Sequence, residues 1–167
     1  MIDYSNSRAK NKKEEIKLTV DFESLNDILT ERCKFNFYYF DNNNAGQDFK
    51  DWTKEELVDL LNKLKCYCEN SLEYWKKQTT SGSGNVLEIY GNFPIPAKTD
   101  FKEPKYIPMR AQWGRFRLKA KIRLVGFVIP HDLHDRKHDK TELRWDKNTF
   151  YIVFLDKEHK FYKQERN

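Results

Sequence analysis

From Arg115 to Leu124 the chain alternates without a break: Phe116, Leu118, Ala120, Ile122 and Leu124 are apolar, and Arg115, Arg117, Lys119, Lys121 and Arg123 are basic. Successive side chains of a strand point to opposite faces, so a period of two demands β-structure and excludes an amphipathic helix here. Val125 to Ile129 continues the run with apolar residues on both faces. A single straight strand over all 15 residues from 115 to 129 would exceed the usual length, which predicts a bulge or tight turn near Lys119 to Lys121. Phe150 to Leu155 (FYIVFL) is apolar throughout and fits a central strand covered on both faces.

The remaining elements are read around that sheet. Ile16 to Phe22 alternates as a half-buried strand, and Ser24 can cap a short helix over Leu25 to Glu31. Lys34 to Phe40 is aromatic and β-prone, Val86 to Tyr90 is a short strand, and His159 to Lys163 forms a last one. Thr53 and Glu56 fit a capping box. Leu57, Leu61, Leu64, Cys68, Leu72 and Trp75 follow at helical spacing, predicting one long amphipathic helix over about 53–77. Thr79 to Asn85 is a flexible loop, and the prolines at 94, 96, 104 and 108 make Phe93 to Pro108 an extended connector. The expected fold is α+β: an antiparallel sheet of four to six strands with the long helix packed on it. Residues 1–15 read as a polar tail and 16–167 as one domain.

Composition narrows the class. Twelve Phe, nine Tyr and four Trp in 167 residues argue against disorder. No stretch approaches a membrane span, and the N-terminus has no apolar leader segment, so a cytoplasmic protein is expected. Cys33, Cys66 and Cys68 lack the spacing of a zinc or redox site, and three reduced thiols are expected. The stretch 131–139 holds three His and three Asp, but Arg136 and Lys137 would repel a cation, so no metal site and no cofactor are expected.

Thirty-one Lys and Arg against 26 Asp and Glu leave a charge of +5. The five cations of the ladder carry the functional signal. On one face of a strand they repel one another, and either a phosphate backbone or carboxylates from neighbouring strands must relieve them. Trp113 shares their parity and can stack on a base or plug the sheet edge. His159, beside Lys160 and Lys163, follows the core strand and can transfer a proton near neutral pH. Tyr162 can stack on a base, donate its hydroxyl or pack in the core.

The stretch from Trp113 to Lys163, with WGRFRLKAKIRLVGFVI as an Arg-rich strand pair, FYIVFL as core strand and HKFY as tail, resembles the RelE/YoeB-like bacterial ribosome-dependent endoribonuclease toxins. In that family helices precede an antiparallel sheet whose strands carry Arg and Lys. The resemblance implies that Arg117, Lys119 and Arg123 hold the phosphate and that His159 or Tyr162 moves the proton as the ribose 2′-oxygen attacks. Arg115, Lys121, Trp113 and Lys160 would extend the RNA-binding surface. The expected function is metal-independent RNA cleavage by a toxin or phage-defence effector, with RNA or the ribosome as target and a cognate antitoxin as partner. The competing reading is a non-catalytic immunity, antitoxin or adaptor protein that binds nucleic acid or an acidic protein.

Overall fold

A computed structural model describes residues 29–42, 45–82 and 84–163. The expected tail over 1–15, the strand over 16–22 and most of the helix over 25–31 lie outside them. The described elements are β1 (Lys34–Asn36), α1 (Lys54–Tyr67), α2 (Leu72–Lys77), β2 (Leu87–Gly91), β3 (Gln112–Lys119), β4 (Ile122–Val128) and β5 (Thr149–Asp156). The strands form one sheet in the order β1-β5-β4-β3-β2. The strand count matches expectation, but the sheet is not wholly antiparallel, because β1 runs parallel to β5. β1 covers only three residues of the seven read as strand from Lys34 to Phe40. No helix among the described residues is long and apolar enough to cross a membrane.

The helix over 53–77 is two helices. Thr53 and Glu56 exchange hydrogen bonds of 3.2 and 2.8 Å as a capping box and start α1. Ser71 then caps a second start, accepting from the Tyr74 N–H at 3.1 Å. The carbonyls freed by the break are taken up elsewhere. Trp75 Nε1 donates to Tyr67 O at 2.7 Å, and Cys33 N donates to Asn70 O at 2.8 Å. A periodic apolar stripe cannot reveal such a break, because both helices face the same sheet.

That sheet is buried on both sides. Leu60, Leu64 and Tyr67 of α1 and Leu72 of α2 pack on Leu87, Phe116, Leu124, Phe150 and Ile152. The opposite face carries Trp113, Val125, Phe127, Val153 and Phe154, covered by Phe93, Phe101 and Phe161. The proline-rich connector is therefore not a surface strap; its phenylalanines roof the second core. The tail HKFYK is not a strand. It clasps the connector, with Asp100 N donating to Lys160 O at 3.2 Å and Lys163 N to Lys98 O at 2.8 Å.

Register shifts along β3 and β4 set the faces. The turn between β3 and β4 reverses at Ala120, which has φ 39°, within the predicted stretch. In front of it the register slips between Arg117 and Lys119. A second slip lies opposite Val153, so both Val153 and Phe154 reach the second core. Gly126 sits at this slip, where an added Cβ would lie 2.0 Å from Tyr151 O and 2.8 Å from Phe150 Cε1. Gly126→Ala should therefore cost about 3 kcal/mol, the upper end for overpacking a core. The check is a lower urea midpoint at unchanged slope.

Candidate phosphate-contacting site

The alternation of β3 and β4 sends Trp113, Arg115, Arg117 and Arg123 to the face opposite the helices. The sheet register then orders the charges. Glu88 on β2 lies across from Arg115, Arg117 lies across from Arg123, and Arg123 lies across from Asp156. Three guanidinium groups thus share one end of one sheet face with two carboxylates.

Glu88 binds two of the three. Its Oε2 accepts from Arg115 Nε at 2.9 Å and from Tyr90 OH at 2.8 Å. Its Oε1 accepts from Arg117 Nη2 at 2.6 Å. Burial pushes the Glu88 carboxyl upward, but the Arg117 hydrogen bond, the Arg115 charge and the Tyr90 hydroxyl outweigh it and hold the group at about 2. Among the described residues Arg123 has no such partner. Its Nη1 donates to Ala120 O at 2.6 Å and Ile122 O at 3.0 Å, both neutral carbonyls. Burial, then the charges of Arg115 and Arg117, lowers Arg123 to about 10. The Nε groups of Arg117 and Arg123 are buried without a hydrogen-bond partner among the described residues.

Asp156 brings the tail to this cluster. Its carboxylate accepts from the backbone N–H groups of Glu158 (3.1 Å), Lys160 (3.0 Å) and Phe161 (2.9 Å). Phe161, fully buried, pins the tail into the second core. Between these anchors His159 is held at φ 60°, a left-handed conformation that costs a non-glycine residue about 1 kcal/mol. His159 Nε2 lies 2.9 Å from Arg115 Nη1. A guanidinium only donates, so Nε2 carries the lone pair and the neutral ring keeps its proton on Nδ1. Burial, then the Arg115 and Arg123 charges, lowers the His159 pKa. Arg115 is thus buried between a carboxylate and an imidazole, while Arg117 and His159 are half-buried.

The other ladder residues go elsewhere. Lys119, beyond the register slip, is exposed and pairs with Asp59 of α1 at 3.3 Å. Lys121 is exposed in the turn. Lys160 pairs with Glu158. Trp113 is 1% exposed, and its Nε1 donates to Glu103 Oε1 at 3.0 Å, so no face of it is open for a base. The open ladder of five cations expected on one face is therefore corrected to three guanidinium groups, two of them buried, with Glu88 interleaved from the next strand. Glu88 and Tyr90 escaped the sequence reading. The available signal was that Glu88 is the one charged residue within Leu87–Gly91. In the His/Asp-rich loop, His134 Nδ1 accepts from Lys147 N and His138 Nδ1 from Lys140 N. Two roomier hollows, of about 690 and 580 Å³, lie against α1 and α2 and include no residue of the cluster.

Fold and site together define a mixed α/β domain carrying a buried guanidinium–carboxylate–imidazole cluster. Compared with protein families, curated proteins and solved structures, the chain matches none.

Glu88→Gln should cost roughly 3 kcal/mol, as when one partner of a buried ion pair is removed, because two guanidinium groups lose their counter-charge. Urea denaturation measures it. The pH dependence has a definite sign. His159 binds a proton more weakly folded than unfolded, so stability falls as pH drops below about 6.5 towards its lowered folded pKa. His159→Gln should flatten that segment of the urea-midpoint profile. The Glu88 contribution, fully present above about pH 4.5, should survive this change and be lost only as pH falls through about 2.

Proposed function

We propose that the cluster of Glu88, Arg115, Arg117, Arg123 and His159 is the site of a metal-independent endoribonuclease. The observation that carries the reading is that Arg115 holds a carboxylate on one side and an imidazole on the other, with Arg117 and Arg123 next to them. Cleavage by the ribose 2′-hydroxyl needs that combination: a base for the 2′-proton, an acid for the leaving 5′-oxygen, and fixed positive charge for the phosphorane between them.

A bound phosphodiester changes both proton affinities in the useful direction. Taking Arg117 as its partner, it frees Glu88 from its largest stabilising hydrogen bond, which raises the carboxyl. Its negative charge offsets the guanidinium charges that lower His159, which raises the imidazole. Glu88 then takes the 2′-proton as the 2′-oxygen bonds to phosphorus. The bond from phosphorus to the 5′-oxygen breaks, and His159 gives that oxygen a proton. The products are a 2′,3′-cyclic phosphate and a 5′-hydroxyl. Arg123 supplies charge from beneath. The order of elements, helices followed by an antiparallel meander bearing arginines, supports the resemblance to RelE/YoeB-like toxins and with it a role as a toxin or phage-defence effector acting on RNA or the ribosome, restrained by a cognate protein.

Purified protein incubated with RNA in EDTA, with and without ribosomes, should yield 2′,3′-cyclic phosphate ends. His159→Ala and Glu88→Gln should each lower the rate by ~10² to 10⁴, measured on the folded fraction. Intact RNA in both settings, with no growth inhibition on expression, would leave the non-catalytic binding module. Cleavage that stops in EDTA would move the chemistry to a metal.

A further inference from the structure

The helices leave one end of their sheet face bare. α2 has six residues, about 9 Å of helix, whereas four adjacent strands span roughly 14 Å. The bare end is the hollow of about 580 Å³ against α2. Leu72 of α2, Leu87 and Ile89 of β2, and Val128 of β4 give it an apolar floor. Its volume is that of a small-molecule site.

Two polar groups of the hollow are left unmatched. Asn148 lines it and is 5% exposed. Its Oδ1 accepts from Leu72 N at 3.3 Å, which fixes the carboxamide orientation, because a backbone N–H can only donate. Among the described residues Nδ2 is neither hydrogen-bonded nor sealed from solvent, so it opens into the hollow. The second group is the Lys147 ammonium. The other lysine and arginine of the rim are neutralised, Lys76 by Glu73 at 2.6 Å and Arg110 by Asp132 at 2.8 Å. Lys147, half-buried beside Asn148, pairs with no carboxylate among the described residues.

We propose that this hollow binds a small organic anion. Its apolar body sits on Leu87, Ile89 and Val128, and its acid group accepts from Asn148 Nδ2 with Lys147 as counter-charge. Each part meets one unmatched feature of the hollow. The apolar body takes hydrophobic floor out of water. The acid oxygen satisfies an amide donor whose burial without a partner is costly. The charge meets a spare ammonium where screening is weaker than on the open surface. The site is separate from the arginine cluster and holds whether or not that cluster acts on RNA.

The probe is 2-naphthoate, with naphthamide as its uncharged counterpart and acetate as the acid group without the apolar body. The readout is the Asn148 side-chain amide pair in the spectrum of the nitrogen-labelled protein, assigned through its bonds to the Asn148 backbone. Naphthoate should shift that pair saturably with a Kd of about 1 mM or tighter, the range for a ligand of its size. It should bind about tenfold more tightly than naphthamide, as a charge-assisted contact does. Acetate should leave the pair unmoved at the same concentrations. Lys147→Met should bring naphthoate down to the affinity of naphthamide and leave naphthamide unchanged. Asn148→Asp keeps the oxygen that accepts from Leu72 N, removes the donor and adds a like charge. It should abolish naphthoate binding, read from the backbone amides of Ile89 and Val128. Lys147→Met carries the test if Asn148→Asp does not fold. A pair unmoved by about 10 mM naphthoate, equal affinities for the charged and uncharged probes, or undiminished naphthoate binding in Lys147→Met overturns the proposal.

Discussion

One carboxylate holds the charged end of this sheet together. Arg115, Arg117 and Arg123 are forced onto the same face by strand alternation, and two of them are buried, where like charges repel strongly. Glu88 reaches two of the three, and the hydroxyl of Tyr90 completes its shell. Without Glu88 the register of β2 on β3 would place an uncharged residue beside Arg115, and burial of that guanidinium would have no counter-charge. Among the described residues Arg123 donates to carbonyl oxygens alone, so three guanidinium groups share this end of the sheet with two carboxylates.

The tail depends on the same end of the sheet. Asp156 closes β5 and spends its carboxylate on three backbone N–H groups, which bends the chain sharply enough to bring His159 back over the strands. The left-handed backbone at His159 is tolerated because Asp156 on one side and the buried Phe161 on the other leave the residue no alternative path. The connector contributes the roof over Phe161 and the carbonyl and amide that clasp the tail. Position of the imidazole is thus fixed by packing in the second core as much as by its contact with Arg115.

Much of this was legible where the cause is local. The period of two over residues 115–124 marks β3 and β4, and the overlong run correctly signals the turn around Ala120. Thr53 and Glu56 announce the start of α1, since both halves of the capping box lie within one turn. That Arg115, Arg117 and Arg123 share a face follows from strand alternation, whereas the approach of His159 to them was not legible; Lys119 could not be separated from the arginines, because a register slip has no signature in an alternating sequence. Glu88 was not visible either. Its partners lie 27 and 29 residues away, and nothing in Leu87–Gly91 states which strand will lie beside it.

The sequence by itself determined which side chains share a face within each uninterrupted stretch of strand or helix, because the two periodicities are properties of the backbone alone. It also determined the elements whose caps and turns are built from neighbours in the chain. The tertiary structure decided everything that depends on the order of strands: the parallel pairing of β1 with β5, the split of the helical stripe into α1 and α2 once Trp75 and Cys33 could satisfy the freed carbonyls, and the burial of both sheet faces. It also decided that the arginines would meet a carboxylate rather than solvent. Strand order is set by the total burial the whole chain can achieve, and that sum over distant contacts is not written in any one segment.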